Sequence, residues 1–230
     1  MSVRAGAAGV EQSPRIAVID VDGLLVNQNL TGPYAAGDNP VASFREKLDL
    51  AASDPRIRAV VLRIHSPGGG VSACDIMAED LRRFRNGTGK PVVACLLDVA
   101  TGGAYYLAIG ADRVIALPTS ITGAIGAVVN HANLKDAMAQ LNVQFETIKS
   151  SERVDMGTVT EPLDEQSRTL FQEMANGFGE RFRARVQECR HEMTKADRQA
   201  VSDGRIVPAT QAARLHGGYA GLPRRRDRGG

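Results

Sequence analysis

The chain has 230 residues, 43% of them hydrophobic and 23% charged, which fits one soluble globular domain or one such domain with an added helical arm. Its net charge of +2 lies mostly in the C-terminal "PRRRDRGG" and therefore gives no indication of nucleic acid or a membrane surface as a partner. Three cysteines and four histidines lack metal-ligand spacing, and no 18-residue apolar segment occurs. We therefore expect a cytoplasmic protein with no membrane span, no metal and no other cofactor.

The hydrophobic pattern predicts alternating strands and helices up to residue 150, after a flexible leader over residues 1–14. Strands are predicted at residues 15–21, 57–65, 90–99, 112–117, 121–130 and 143–150, with a loop over residues 22–39. Helices are predicted at residues 40–52, 71–85, 102–111 and 133–142, the first of them opened by Asn39 and Pro40. This alternation is typical of an α/β domain with a mostly parallel sheet.

The pattern changes after residue 150, where one long helix is predicted over about residues 163–193. It carries an apolar stripe that we expect to pack on the domain or on a second subunit: Leu170, Met174, Phe178, Phe182, Val186, Cys189 and Met193. A last helix is predicted from Ala209. The domain would then span residues 15–217, followed by a basic flexible tail over residues 218–230.

Two glycine-rich turns follow neighbouring strands. "HSPGGGV" ends one strand and opens a helix, so Gly68, Gly69 and Gly70 could offer backbone N–H groups to an anion or form an oxyanion hole. No Walker lysine follows, and a tight structural turn explains the glycines about as well. Gly102 and Gly103 end the next strand. Because the carboxyl ends of parallel strands share one edge of a sheet, the two turns would form a binding cleft.

Three segments resemble the signal peptide peptidase A family: "LRIHSPGGGV", "ATGGAYYLAIGADRVIALPTSITGAIGAV" and "FETIKS". The resemblance runs from about Arg15 to Gly217, with the motifs in the family's order. It implies the Clp protease/crotonase fold of repeated ββα units, here with a long C-terminal helical arm. It also implies serine peptidase chemistry with a Ser/Lys dyad, acting on peptides in or near the membrane, in oligomeric rings.

The family's catalytic positions are substituted in this chain. Aligning on Tyr105 and Tyr106 places Gly102 where the family has its serine. The family's lysine comes a few residues after the "ETIK-S" strand and just before an aspartate, and that position falls on Val154, which precedes Asp155. Ala124 replaces the serine thought to support that lysine. Glycine and valine supply neither a nucleophile nor a base. We therefore expect an inactive homologue that keeps an oxyanion turn at Gly103 and binds extended peptides or partner proteins. It would form a homo-oligomeric ring, which an active paralogue could join.

Two alternatives stay open at this point. If the turn shifts by one residue, Thr101 becomes the nucleophile of an active peptidase, but Arg153 then takes the base position and stays protonated. Lys149 is near in sequence but matches a non-catalytic lysine of the family. Otherwise the Thr101 hydroxyl caps the next helix. The second alternative is a crotonase-like acyl-thioester binder, suggested by the fold and the paired oxyanion turns alone. Ser66 and Ser120 are expected to stabilise turns.

Overall fold

The structure is a computed structural model that describes residues 13–29, 31–32, 35–190, 193–194, 196–197, 203–216 and 219–221. The chain divides into two compact units. The larger unit comprises Met1–Ile125 and Phe182–Gly230, and the smaller unit comprises Gly126–Arg181. The predicted leader, except for residues 13 and 14, lies outside the described residues, as do residues 222–230 of the predicted tail.

A seven-stranded sheet forms the centre of the larger unit, with five strands in the order β1-β4-β5-β6-β9. All four strand pairs along this path are parallel. In addition, β7 pairs with β5 in parallel, and β8 pairs with β7 in antiparallel orientation. The α/β class with a mostly parallel sheet is confirmed. The strands are β1 (Arg15–Leu25), β4 (Ile57–Gly69), β5 (Val92–Thr101), β6 (Arg113–Ala116), β7 (Ile121–Gly123), β8 (Ile206–Pro208) and β9 (Tyr219–Gly221). Two short strands, β2 (Thr31–Gly32) and β3 (Ala35–Ala36), form a separate pair. The strand β9 lies within the predicted tail.

The helices of the larger unit begin where the sequence indicates. In α1 (Pro40–Ser53), the Asn39 side chain accepts hydrogen bonds from the N–H groups of Val41 and Ala42, as expected of an N-cap before proline. The helix α2 (Val71–Thr88) ends at Gly89, which is left-handed at φ 63°. The other helices are α3 (Gly103–Ala108), α6 (Ala209–His216) and the long α5 (Glu165–Cys189), which begins in the smaller unit.

The hydrophobic core lies between the sheet and these helices. Alternate residues of β4 and β5 are fully buried, since successive side chains of a strand point to opposite faces. They pack with one face each of α1 and α2 and with nearly all of α3. The largest buried side chains include Ile19, Leu62, Ile64, Met77, Leu81, Leu96, Tyr105 and Leu107. This core fixes the carboxyl ends of β4 and β5, where the glycine turns lie.

The strands β1 and β4 are longer than the sequence predicts. We expected β4 to stop before "SPGGG", yet it continues to Gly69, and β1 continues to Leu25 beside it. Glycine is the reason: a Cβ on Gly69 would lie 1.9 Å from the carbonyl oxygen of Leu25. The absence of a side chain therefore lets β1 pair along the glycine run. Residues 22–25, which the sequence predicts as loop, therefore belong to the sheet.

The predicted strand at residues 143–150 is wrong, and the strand predicted over residues 121–130 ends at Gly123. A strand persists only where neighbouring backbone accepts and donates its hydrogen bonds. None of the described residues of the smaller unit lies in a strand, so the segment has no partner there. Its apolar side chains face solvent: Phe145 is 60% exposed and Ile148 94%.

The smaller unit consists of turns, the short helix α4 (Lys135–Gln140) and the first part of α5. Asp164 begins α5 by accepting hydrogen bonds from the backbone and the hydroxyl of Ser167, at 2.8 and 2.6 Å. No apolar side chain of this unit is buried, although all its residues are described. Twelve large apolar residues are exposed instead: Val128, Val129, Leu134, Leu141, Val143, Phe145, Ile148, Val154, Val159, Leu170, Met174 and Phe178. The predicted stripe of α5 is thus buried only from Phe182 onward.

Candidate active site

The turn between β5 and α3 has an unusual backbone conformation at Gly102. This residue has φ 53° and ψ −123°, a combination that side-chain-bearing residues rarely adopt. Its N–H donates to the carbonyl of Gly123 at 2.9 Å, and its own carbonyl accepts from the N–H of Tyr106 at 3.0 Å. A sharp, strained turn from a strand into a helix is the arrangement that displays a nucleophile in many hydrolases.

Space for a side chain in this turn exists at Gly102 and not at its neighbour. A Cβ on Gly102 would have the carbonyl oxygen of Pro67 as its nearest neighbour, at 3.5 Å, which is an ordinary contact. A Cβ on Gly103 would lie 2.1 Å from Sγ of Cys74. The turn could therefore hold a serine at position 102 without a steric clash. This geometry agrees with the alignment, which itself stays a prediction.

The glycine run at the end of β4 lies directly against this turn. A Cβ on Gly68, whose φ is +98°, would lie 2.7 Å from the backbone nitrogen of Gly103. The N–H of Gly68 donates to Oγ of Ser66 at 3.0 Å, and that hydroxyl donates to the carbonyl of Gly23 at 2.6 Å. Gly70 precedes α2 and is open, with nothing nearer than 3.9 Å to its Cβ position. The two glycine turns thus meet at one end of the sheet.

Buried hydroxyls around the turns hold backbone in place. The expected structural role of Ser66 and Ser120 is confirmed, since Oγ of Ser120 donates to the carbonyl of Leu96 and accepts from the N–H of Leu117, each at 3.1 Å. Thr101 is 5% exposed, and its Oγ1 donates to the carbonyl of Pro67 at 3.2 Å. The expectation that Thr101 caps α3 is wrong, because Thr101 belongs to β5 and Gly102 occupies the cap position.

The positions aligned with the family's base lie in the smaller unit. Val154 is 64% exposed in a run of turns. Nζ of Lys149 lies 2.9 and 3.0 Å from the two carboxylate oxygens of Asp155, and this hydrogen bonding lowers the pKa of that carboxyl. Arg153 donates to the side chain of Gln166. Each cation near Val154 is therefore engaged within its own unit.

Two features of the larger unit escaped the sequence analysis. Cys74 of α2 is buried against Gly103, and burial raises the pKa of its thiol to about 11, with a further contribution from the charge of Asp75. Oη of Tyr106 donates to Oδ1 of Asp75 at 2.7 Å, while the guanidinium of Arg185 lies 4.9 Å from the centre of the Tyr106 ring. Neither feature could be predicted from the hydrophobic pattern of the sequence, because each depends on contacts between residues that are far apart along the chain.

Neither a metal centre nor a membrane-spanning helix is found among the residues that the structure describes. No group of three or more histidine, cysteine, aspartate or glutamate side chains is placed to hold a metal ion. No helix is long and apolar enough to cross a bilayer. His65 lies within β4, just before the glycine run, and its Nδ1 is 3.9 Å from a carboxylate oxygen of Asp98, with both side chains well exposed.

A model of peptidase family S49 matches residues 85–216, which is more than half of the chain and includes both Gly102 and Val154. The chain belongs to peptidase family S49. Among its curated relatives, Protease 4 of Salmonella typhi is 30% identical over 159 residues, which are 68% of this chain and 24% of that protein. A putative signal peptide peptidase SppA of Enterococcus faecium is 25% identical over 198 residues, which are 86% of this chain and 57% of that protein.

The fold agrees with this membership. A solved structure of the 1510-N membrane-bound stomatin-specific protease superposes with a TM-score of 0.58, covering 91% of this chain and 80% of that one at 12% identity. The predicted Clp protease/crotonase-like architecture is thereby confirmed, as is the resemblance to the signal peptide peptidase A family. This S49 chain spans only 24% and 57% of the length of the two relatives named above.

Proposed function

We propose that this S49 chain does not hydrolyse peptides and instead binds extended peptides or partner proteins, as one subunit of a cytoplasmic assembly of copies. The observation that carries the proposal is the turn at Gly102. It keeps the conformation of a nucleophile-bearing turn, at φ 53° and ψ −123°, but holds a residue without a side chain. A backbone site without its nucleophile can bind a carbonyl and cannot form an acyl-enzyme.

The neighbouring backbone supports the binding role. The N–H of Gly103 belongs to the first turn of α3, where helix geometry supplies no intrahelical acceptor. Gly68 lies beside it, and Gly69 follows in a strand that the sheet holds in place. The N–H groups of Gly68 and Gly70 already donate to Oγ of Ser66 and to the carbonyl of Leu25, so these glycines shape the turn. The N–H of Gly103 is the proposed donor to a bound peptide carbonyl or a developing oxyanion. We propose Gly68, Gly69, Gly70 and Gly103 as the binding turns.

Hydrolysis by Thr101 receives no support from its surroundings. Its hydroxyl is buried and already donates to the carbonyl of Pro67. Among the described residues, no basic side chain forms a hydrogen bond with this hydroxyl. A nucleophile must be able to lose its proton to a base and reach the scissile carbonyl. We therefore assign Thr101 a structural role.

The test is an activity assay on the purified protein with a broad set of fluorogenic peptides and a serine-reactive phosphonate probe. We expect turnover and labelling to equal those of a heat-inactivated sample. Fluorescence polarisation of dye-labelled extended peptides should nevertheless detect binding. Turnover that persists in Thr101→Val would overturn the inactivity and would agree with the structural role of Thr101. Turnover abolished by Thr101→Val would establish Thr101 as the nucleophile.

A further inference from the structure

The smaller unit contains a cavity that does not include the glycine turns. It has a volume of about 580 Å³ and is lined only by residues of this unit, from residues 127–133, residues 162–163 and the first half of α5. Apolar side chains form most of its lining, with a few polar groups among them. A cavity of this size and composition is typical of a site that binds a small molecule or the end of a peptide.

The helix α5 supplies one wall of this cavity. Arg168, Phe171, Gln172 and Ala175 line it, and positions three, four and seven residues apart lie on the same face of a helix. The ring of Phe171 packs against Gly157, where a Cβ would lie 2.9 Å from Cζ of the ring. From Arg168 to Ala175 the wall runs about 10 Å, which is the length of about three residues of extended peptide.

Arg168 is the only Lys, Arg, Asp or Glu residue that lines the cavity. Its side chain is 64% exposed, and its ion pair with Glu165 is loose, because Nε lies 3.8 Å from the carboxylate oxygen. By contrast, the ammonium groups of Lys135 and Lys149 lie 2.7 and 2.9 Å from carboxylate oxygens. A guanidinium without a close anionic partner can donate two parallel hydrogen bonds to a carboxylate. This end of the cavity therefore fits a carboxylate.

The other polar groups of the lining fit a peptide backbone. Nε2 of His131 donates to the carbonyl of Thr158 at 2.9 Å, so Nδ1 of the neutral ring is an acceptor. Oδ1 of Asn133 accepts from a backbone N–H, and the amide nitrogen of this residue is a donor. Nε2 of Gln172 donates to a side chain one turn further along α5, and its Oε1 is an acceptor. A peptide backbone can pair with donors and acceptors of this kind, whereas an aliphatic chain cannot.

We propose that this cavity binds the carboxyl terminus of a peptide whose last residues are apolar. The terminal carboxylate pairs with the guanidinium of Arg168, and the apolar side chains contact Val128, Leu163 and Phe171. The smaller unit holds nine Asp and Glu residues against five Lys and Arg residues, so it repels a peptide with many acidic side chains. The inference does not rest on the proposed function, because no residue of the glycine turns takes part.

Fluorescence polarisation on the full chain tests this inference with two dye-labelled hexapeptides that end in Ala-Val-Leu, one with a free carboxylate and one amidated. We expect the free acid to bind at least about tenfold more tightly, because the amide cannot form the charged pair. Arg168→Gln should weaken binding of the acid by a similar factor and leave binding of the amide unchanged. Arg153→Gln is the matched control, since this arginine bonds to Gln166 and does not line the cavity.

Val128→Asp keeps the test decisive if Arg168→Gln fails to fold. Val128 is 76% exposed, so the change should not affect folding, and the added carboxylate should weaken binding of the acid by repelling its terminus. In the wild type, the acid should also slow hydrogen exchange in residues 127–133 and 163–175. Dodecanoate, an apolar carboxylate without a peptide backbone, should displace the labelled acid less effectively than the unlabelled peptide does.

Several results would overturn the inference: no binding of the acid, equal affinities of acid and amide, or an unchanged affinity of the acid in either folded variant. Exchange that stays unchanged in residues 127–133 and 163–175 would overturn it as well. Displacement by dodecanoate at lower concentration than by the unlabelled peptide would contradict the assignment of a peptide ligand. Binding of the amidated peptide reports separately on the proposed function, since it does not require the guanidinium of Arg168.

Discussion

Gly103 packs so closely against Cys74 that a Cβ added to the glycine would lie 2.1 Å from the cysteine Sγ and 3.0 Å from its Cβ. This contact joins α2 to the first residue of α3 and fixes the distance between them. It explains why position 103 requires a glycine although it lies in a helix, where glycine is normally unfavourable.

Gly103→Ala should therefore destabilise the protein by about 1–3 kcal/mol, the usual cost of an overpacked core. Cys74→Ala should relieve part of that cost, since it removes the nearer of the two clashing atoms. Urea unfolding of the two single variants and the double variant gives their coupling energy. Gly87→Ala serves as a control, because no atom lies within 4 Å of its Cβ position. Strictly additive effects of the two substitutions would contradict the contact.

Gly69 and Gly70 should respond very differently to the same change. Gly69→Ala would place a methyl group 1.9 Å from the carbonyl oxygen of Leu25 and so separate the ends of β1 and β4. We expect loss of several kcal/mol of stability, or failure to fold. Gly70→Ala meets nothing closer than 3.9 Å and should change the unfolding midpoint little. Equal effects of the two variants in thermal unfolding would show that the end of β4 is not held by β1.

Restoring the dyad tests the assignment of positions. Gly102→Ser combined with Val154→Lys should give weak but measurable hydrolysis of fluorogenic peptides and labelling by a phosphonate probe. The serine fits sterically, although the positive φ at this position costs about 1–3 kcal/mol. Gly102→Ser alone is the control and should be far less active, because its hydroxyl has no base. If the double variant is folded and inert, the alignment of these two positions is wrong.

The stability of the folded chain should depend on alkaline pH through the thiol of Cys74. Burial raises the pKa of its thiol from 9.0 to about 11 in the folded chain, so the neutral thiol is favoured there. The stabilisation is complete below pH 9 and is lost as the pH rises through about 11, because the unfolded chain ionises first. From about pH 9 to 11, the urea midpoint of the wild type should therefore fall relative to that of Cys74→Ala.

Iodoacetamide labelling at pH 8 is a direct check on the same thiol. We expect Cys74 to react in urea and to resist modification in the native protein, because the reactive thiolate is scarce and the sulfur is buried. Rapid native labelling at this position, located by mass spectrometry, would contradict the packing described for Gly103.

Tyr106→Phe should cost about 1 kcal/mol through the loss of its hydrogen bond to Asp75. The ring itself remains packed edge-on against Phe182, with centroids 5.1 Å apart, and beneath the guanidinium of Arg185. Because these contacts connect α3 with α5, Tyr106→Ala should be several times more damaging than Tyr106→Phe. Similar unfolding free energies for the two variants would show that the ring contributes little.

Local signals in the sequence predicted the larger unit well. The Asn39 cap, the β-branched runs of β4 and β5, and the glycines that end them are each specified by neighbouring residues. Residues 143–150 have the same strand-forming composition, but a strand also requires a partner, and that depends on distant parts of the chain. The contact of Cys74 with Gly103 escaped prediction for the same reason. The hydrogen bond of Thr101 to Pro67 depends on the pairing of two strands and could not be read from the residue type.

The conformation of Gly102 also bears on how a nucleophile could be lost in evolution. A serine in this turn would hold a strained backbone at φ 53°, whereas glycine adopts it freely. Replacement of such a serine by glycine therefore removes activity and adds stability in one step. Selection on folding alone would then maintain the glycine, and a return to catalysis would first have to overcome a thermodynamic disadvantage.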